Sequence, residues 1–91
     1  MELTIFELDG CPYCRQEREI IAELCGEHPE YEAISIRRID ESKEPQLADQ
    51  YDYYYVPSIF CGKEKLYEAD PSRSRQEAKT RIAAVLSEVC V

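Results

Sequence analysis

Residues 11–14, Cys-Pro-Tyr-Cys, constrain what this chain can fold into more than any other feature of it. The preceding stretch, residues 2–8, is short, rich in β-forming residues and roughly alternating, which predicts a strand. From residue 15 to about residue 26, apolar side chains recur at helical spacing, at Ile20, Ile21, Leu24 and Cys25. The two cysteines are therefore expected at a junction where a strand ends and a helix begins.

That position has chemical consequences for both sulfurs. Cys11 stands where the N-cap side chain of the helix belongs, so its sulfur can accept hydrogen bonds from free N–H groups of the first turn and lies at the positive end of the helix dipole. Both effects favour the thiolate, which is the nucleophilic form. Pro12 suits the first helical position, where its missing N–H costs nothing. Cys14 lies one turn along, close enough to close a disulfide with Cys11.

Size and composition indicate one small globular domain spanning residues 1–91. Hydrophobic residues make up 44% of the chain and charged residues 33%, which is typical of a folded soluble protein. The formal net charge of −8, from 19 acidic and 11 basic residues, argues against a nucleic-acid-binding surface.

The sequence also bears on location. We find no hydrophobic run near the length that spans a bilayer, and the N-terminus begins with an acid at Glu2 and has no signal-peptide pattern. We therefore expect a cytoplasmic protein without membrane contact, where a Cys-x-x-Cys is more often catalytic or metal-binding than structural. The five cysteines are an odd number, which fits poorly with a fully paired disulfide framework.

The rest of the chain alternates strands and helices. We predict a strand over 31–39, a helix from 43 to about 53 with Ser42 as N-cap, strands over 56–61 and 64–68, and a last helix with Asp70 as N-cap and Pro71 as its first residue. The order β-α-β-α-β-β-α predicts an α/β fold: a four-stranded mixed sheet with three helices on both of its faces.

A Cys-Pro-Tyr-Cys motif at a helix start, followed by Val56-Pro57 opening a later strand, a hairpin and a final helix, resembles the glutaredoxins of the thioredoxin superfamily. The resemblance covers nearly the whole chain and implies a thioredoxin-like fold and thiol–disulfide exchange. It makes Cys11 the nucleophile and Cys14 the residue that resolves the mixed disulfide. It also implies a cis Val56–Pro57 peptide opposite the active-site disulfide, where the backbone of Val56 pairs with substrate.

Three stretches depart from the glutaredoxin pattern. Leu8-Asp9-Gly10 replace the usual lysine before the first cysteine, and Tyr55 replaces a threonine before Val-Pro. Residues 67–71, Tyr-Glu-Ala-Asp-Pro, stand where the family's Gly-Gly-x-Asp receives the γ-glutamyl end of glutathione. The resemblance implies glutathione or protein disulfides as substrates. A thioredoxin-type reductase is an alternative electron donor.

The expected substrate-binding residues surround the dithiol: Pro12, Tyr13, Arg15, Tyr55, Val56 and Pro57. Arg15 has an alternative reading as a helix-surface charge paired with Glu19. The tyrosines between 51 and 55 form either a groove wall for a partner or, for Tyr51 and one or two others, packing between helix and sheet.

Metal binding by the two motif cysteines is the main alternative to redox chemistry. Structural zinc needs four ligands, and Cys25, Cys61, Cys90 and His28 are isolated in the sequence, so we expect neither a metal nor an organic cofactor. An iron–sulfur cluster held between two subunits through Cys11 stays open, although we expect a monomer. Structural or incidental roles are the expectation for the other three cysteines.

Overall fold

The computed structural model describes residues 2–89, so the prediction for Cys90 lies outside the described residues. Its elements are β1 (Glu2–Glu7), α1 (Pro12–Glu27), a 3-10 turn (Pro29–Ala33), β2 (Ser35–Asp40), α2 (Pro45–Ala48), β3 (Ser58–Cys61), β4 (Glu64–Glu68) and α3 (Arg75–Val89). The predicted order of strands and helices is confirmed. No helix within the described range has the length and hydrophobicity needed to cross a membrane.

The four strands form one mixed sheet in the order β2-β1-β3-β4. Strand β1 pairs in parallel with β2, with Leu3 opposite Ile36, and antiparallel with β3, with Ile5 opposite Ile59. Strands β3 and β4 form a hairpin whose turn contains Gly62 at a φ of +61°, a conformation that glycine adopts without steric cost. The predicted four-stranded mixed sheet is confirmed.

Alternate residues of the inner strands build a core on each face of the sheet. Ile5 and Ile59 belong to the larger core, which α1 and α3 cover with Ile20, Ile21, Leu24, Ala78, Ile82, Val85, Leu86 and Val89. Phe6 and Phe60 point to the opposite face, where they pack with Ile39 and are covered by Leu47, Ala48, Tyr51, Tyr53 and Val56. Because successive strand residues face opposite sides, burial on both faces requires apolar residues without alternation in polarity.

Two predicted elements are shorter than expected. Strand β2 begins at Ser35 instead of residue 31, because the preceding residues form the 3-10 turn. Helix α2 contains only residues 45–48, and Ser42 is not its cap: its N–H and hydroxyl both donate to Asp40 Oδ1, at 2.9 and 2.6 Å. The predicted helix ends early because residues beyond it place Tyr51 and Tyr53 against Phe6 instead of continuing the helical face.

The start of the last helix was also predicted wrongly. Helix α3 begins at Arg75, and Asp70 instead accepts the N–H and hydroxyl of Ser72 in a turn of its own, at 2.9 and 2.8 Å. Ser74 and Glu77 cap the helix reciprocally, each side chain accepting the other residue's backbone N–H at 3.2 Å. This Ser-x-x-Glu pattern is a capping box, a stronger start signal than Asp-Pro. Similarly, β3 begins at Ser58 instead of Val56.

Candidate active site

The Cys-Pro-Tyr-Cys motif lies where β1, an inner strand of the sheet, ends and α1 begins. Gly10, at a φ of +79°, turns the chain between the two elements. Cys11 is the N-cap of α1 in an extended conformation, and its sulfur accepts the backbone N–H of Cys14 at 3.4 Å. Pro12 occupies the first turn. The N-cap position predicted for Cys11 is therefore confirmed.

The two sulfurs have different surroundings. Cys11 is partly exposed, whereas Cys14 is fully buried at 0% exposure. Burial raises the pKa of Cys14 to about 12, and the hydrogen bond to Cys11 and the negative charges of Cys11 and Glu7 act in the same direction. The backbone N–H of Leu8, 3.4 Å from Cys14 Sγ, opposes this shift without overcoming it. At neutral pH Cys14 is consequently a protonated thiol, while Cys11 is the accessible sulfur.

The loop before β3 faces Cys11 from across the site. The Val56–Pro57 peptide is cis, as the resemblance implies. The Cys11 thiol lies 3.9 Å from the carbonyl oxygen of Val56. The Ala69 N–H donates to the Pro57 carbonyl at 3.0 Å, and the Ser58 hydroxyl donates to the Tyr55 carbonyl at 2.5 Å. The structure thus brings together residues 45 positions apart in the sequence.

Glu68 anchors the chain segment that leads into this loop. Its Oε2 accepts the backbone N–H groups of Tyr54 and Tyr55 at 2.5 and 2.8 Å, and its Oε1 accepts Lys65 Nζ at 2.8 Å. Partial burial raises the pKa of Glu68. The hydrogen bonds from Lys65 and the loop lower it by a larger amount, so the pKa of Glu68 lies below its usual value. Glu68 was not predicted as a functional residue. No local pattern marks it, because the N–H groups that it binds lie 13 and 14 residues away.

A network of charges lies behind the buried sulfur. Glu17, only 1% exposed, binds Arg38 through both oxygens at 2.8 and 3.1 Å. Arg38 also binds Glu7 at 3.1 Å, and Glu7 in turn binds Arg18 at 3.2 Å. Burial raises the pKa of Glu17, against the lowering effect of Arg38. Sequence reasoning missed this network, although Glu17 lies three and four positions before Ile20 and Ile21 and therefore on the apolar face of α1. That spacing could have marked Glu17 as buried, but it could not have identified Arg38 as its partner.

The structure places the other predicted substrate-binding residues around the dithiol but assigns no ligand to them. Pro12 and Tyr13 are exposed beside Cys11, and Tyr55 is 54% exposed beside Val56. Arg15 is exposed, and within residues 2–89 it forms no ion pair with Glu19. Substrate binding by these residues stays a prediction.

The tyrosines between residues 51 and 55 divide between the two roles considered. Tyr51 and Tyr53 pack against Phe6 with ring centroids 4.7 and 5.0 Å away. Tyr54 and Tyr55 instead point outward, with Tyr54 90% exposed. The packing role therefore holds for the first pair, and the second pair is available to a partner.

The two other cysteines that the structure describes, Cys25 and Cys61, lie outside the motif and are unpaired. Cys25 and Cys61 are partly buried against the larger core, and burial raises the pKa of Cys25. Among the residues that the structure describes, no three His, Cys, Asp or Glu side chains are grouped to hold a metal ion.

Comparisons with known proteins define the fold. No family model matches the chain, and no curated protein matches it. Among solved structures, thioredoxin 1 from the thermophilic eubacterium Thermosipho africanus is similar, with a TM-score of 0.59 and 20% identity over 98% of each chain. The first thioredoxin domain of mouse protein disulfide-isomerase A4 has a TM-score of 0.54 and 25% identity, covering 99% of this chain and 63% of that one.

An uncharacterised thioredoxin-like protein from Clostridium perfringens is also similar, with a TM-score of 0.55 and 28% identity over 93% of this chain and 69% of that one. These likenesses extend over 93–99% of this chain and concern the fold. The chain has the thioredoxin-like fold.

Proposed function

We propose that this protein is a glutaredoxin-like thiol–disulfide oxidoreductase that reduces disulfides or glutathione mixed disulfides with Cys11 and Cys14. The observation that carries the proposal is the contrast between the two sulfurs: Cys11 is accessible at a helix N-terminus, and Cys14 is buried with a raised pKa. A pair of this kind assigns attack to one sulfur and resolution to the other. The similarity to a thioredoxin and to a disulfide-isomerase domain supports the same class of reaction.

In the first step the Cys11 thiolate attacks one sulfur of the substrate disulfide. A bond forms between Cys11 and that sulfur, the substrate S–S bond breaks, and the other substrate sulfur leaves as a thiolate that takes up a proton. The Cys14 N–H, 3.4 Å from Cys11 Sγ, stabilises negative charge on the attacking sulfur. The Val56 carbonyl oxygen lies 3.9 Å from this sulfur, and we expect it to accept a backbone N–H of the bound substrate.

In the second step Cys14 loses its proton and attacks Cys11 Sγ. The Cys11–Cys14 disulfide forms, the mixed disulfide breaks, and the substrate sulfur leaves reduced, so two electrons have passed from the dithiol to the substrate. The high pKa of Cys14 makes this step slower at neutral pH than it would be for an exposed thiol. Two glutathione thiols, or a thioredoxin-type reductase, then restore the dithiol.

The exposed Tyr54 and Tyr55 favour a second candidate function, a thioredoxin-like protein that serves a dedicated protein partner without glutathione. Large exposed aromatic rings near a reactive sulfur are better suited to bind the surface of a partner protein than to bind a small thiol such as glutathione. The third candidate is a module that binds an iron–sulfur cluster or a partner through Cys11. An absorbance spectrum of protein purified without air separates it from the others, since a cluster would give visible charge-transfer bands.

The experiment that tests the proposal is glutathione-dependent reduction of a small glutathione mixed disulfide by wild type, Cys11→Ser and Cys14→Ser. We expect Cys11→Ser to lose all turnover and Cys14→Ser to retain part of it, because a second glutathione can resolve the intermediate on Cys11. Reduction of a protein disulfide should need both cysteines. Cys25→Ser is the matched control and should behave as wild type.

The outcomes separate the candidates. Turnover that survives in Cys11→Ser would contradict the proposal. Folded wild type that is inactive with glutathione but active with a thioredoxin-type reductase would support the dedicated-partner function. Inactivity with both donors would remove the oxidoreductase assignment.

A further inference from the structure

An open groove runs from the cis-proline loop along the outer edge of β4. It is a cavity of about 390 Å³ that begins at Tyr55 and is lined by residues 65–70 together with Arg73 and Arg81. Strand β4 is an edge strand, paired only with β3. Since Tyr55 precedes Val56, whose carbonyl lies 3.9 Å from Cys11 Sγ, the groove adjoins the reacting sulfur.

The groove is cationic in a strongly acidic protein. Its lining carries Lys65, Arg73 and Arg81 against Glu68 and Asp70, a local formal charge of +1 where the whole chain has −8. Both acids already accept hydrogen bonds, Glu68 from Lys65 and the tyrosine loop and Asp70 from Ser72. Lys65 therefore balances the charge of Glu68, whereas the donors that bind Asp70 are neutral.

The two arginines are presented differently. Arg73 is held in place by a 3.0 Å hydrogen bond to the Glu68 carbonyl and by stacking over Tyr67 at 5.3 Å. Arg81 is exposed on α3, and within residues 2–89 it makes no hydrogen bond or ion pair. The backbone N–H of Ser72 lowers the pKa of Asp70 most, and the charges of Arg73 and Arg81 act in the same direction, so Arg81 already faces one carboxylate of the groove. Its guanidinium donors make no hydrogen bond within residues 2–89, and they are suited to bind a substrate carboxylate.

We infer that this groove is a specificity subsite for acidic residues that flank the reactive cysteine of a protein substrate, with Arg73 and Arg81 as the residues that select them. The inference rests on the proposed function and names its substrate class. An acidic segment would enter past Tyr55 and lie along β4 while its cysteine meets Cys11.

The length of the groove favours a polypeptide over glutathione as its occupant. Its β4 wall, from Lys65 to Ala69, spans about 13 Å at 3.3 Å per residue. A tripeptide is about 11 Å long when extended, and glutathione carries its cysteine in the middle. With that sulfur at Cys11, the γ-glutamyl end would reach the near end of the groove at Ala69 and Asp70, which adjoins the cis-proline loop. A longer chain would also pass the far end at Lys65 and Leu66.

The test uses three peptides that differ only in the residues flanking one cysteine, which are Glu, Gln or Lys, each presented as the same small mixed disulfide. The measured quantity is kcat/KM for wild type, Arg81→Glu and the matched control Arg37→Glu. Arg37 is exposed on β2, at the opposite edge of the sheet, so both variants change the net charge by the same amount. A glutathione mixed disulfide is the fourth substrate.

We expect wild type to prefer the Glu peptide over the Gln peptide by about threefold to tenfold at low salt, with the preference falling at 0.5 M salt. Arg81→Glu should abolish this preference and favour the Lys peptide, and Arg37→Glu should keep it. An absent preference, or one lost equally in Arg37→Glu, would overturn the inference while leaving the proposed function intact. An effect of Arg81→Glu on glutathione alone would also overturn it. Failure of wild type to reduce any of the four substrates would instead contradict the proposed function.

Discussion

The two sides of the dithiol are built differently. On the Cys14 side, helix α1 and strands β1 and β2 enclose the sulfur and the paired charges of Glu17 and Arg38. On the Cys11 side, a loop without regular structure faces the sulfur and is tied down by hydrogen bonds to Glu68 and Ala69. The difference teaches that burial controls the protonation of one sulfur, while a loop held by hydrogen bonds forms the surface beside the other.

Substitutions on the buried Cys14 side should change mainly the free energy of unfolding. Glu17 is 1% exposed, and a carboxylate in that position needs Arg38 to compensate its charge. Substitutions on the open Cys11 side should change mainly the affinity for substrate, because Tyr54 and Tyr55 are exposed and contribute little to the core. Each of the following changes acts on one side only.

Arg38→Met should have the largest effect. It leaves Glu17 buried without its partner, and we expect the free energy of unfolding to fall by about 3–5 kcal/mol at neutral pH. The pKa of Glu17, already raised by burial, would rise further. A carboxyl group whose pKa is higher in the folded state destabilises that state increasingly as the pH rises above the pKa of the unfolded chain. The loss should therefore be smaller at pH 5 than at pH 7.5.

Urea unfolding at the two pH values measures this loss. Arg37→Met is the control, since the neighbouring Arg37 is exposed and should change stability by no more than about 0.5 kcal/mol. Equal losses of unfolding free energy in Arg38→Met and Arg37→Met would contradict a stabilising role for the Glu17–Arg38 pair.

The resolving step should depend steeply on pH. Burial raises the pKa of the Cys14 thiol even when Cys11 is held in a mixed disulfide and carries no charge. Its thiolate fraction should therefore grow about tenfold for each pH unit between about 6 and 8, and the rate of resolution should grow with it. Stopped-flow release of the substrate thiol from a preformed Cys11 mixed disulfide measures that rate, with Cys14→Ser as the blank. A plateau above pH 7 would mean that burial does not control this sulfur.

Glu68→Gln should act on the open side with a smaller effect. A glutamine offers one acceptor oxygen to donors that now share two, so the Tyr54–Tyr55 segment loses part of its anchoring. We expect KM for a peptide disulfide to rise about threefold to tenfold with kcat nearly unchanged, corresponding to about 1 kcal/mol. Steady-state kinetics measure the split.

Glu64→Gln on the same strand is the control for this prediction, since Glu64 is exposed and has no partner within residues 2–89. A fall in kcat without a change in KM for Glu68→Gln would place its effect on the chemical step and would break the comparison between the two sides.

Local patterns predicted much of this fold. Apolar spacing and the Pro12 signal located α1, and the N-cap role of Cys11 followed from a strand ending just before it. Asp70-Pro71 misled because Asp70 prefers its own turn with Ser72, and the Ser74–Glu77 capping box was overlooked. The short α2 was missed because tertiary packing of Tyr51 and Tyr53 overrides helical spacing.

The site divides in the same way. The motif identified Cys11 and Cys14, and the resemblance supplied Val56-Pro57. Glu68, Arg38 and Glu17 were not predicted. Apart from Lys65, which binds Glu68, their partners lie 13 or more residues away and depend on how strands and helices meet. The motif alone also did not show that Cys14 is buried and Cys11 partly exposed.

Trapping of the covalent intermediate tests the division of roles between the two sulfurs most directly. Reduced Cys14→Ser and Cys11→Ser proteins are mixed with a disulfide peptide at pH 7, quenched with acid and mapped by mass spectrometry. The structure predicts that Cys14→Ser accumulates one peptide disulfide-bonded to Cys11, and that Cys11→Ser accumulates none because Cys14 is buried and protonated. Equal adduct formation on Cys14 in the Cys11→Ser protein would contradict the account.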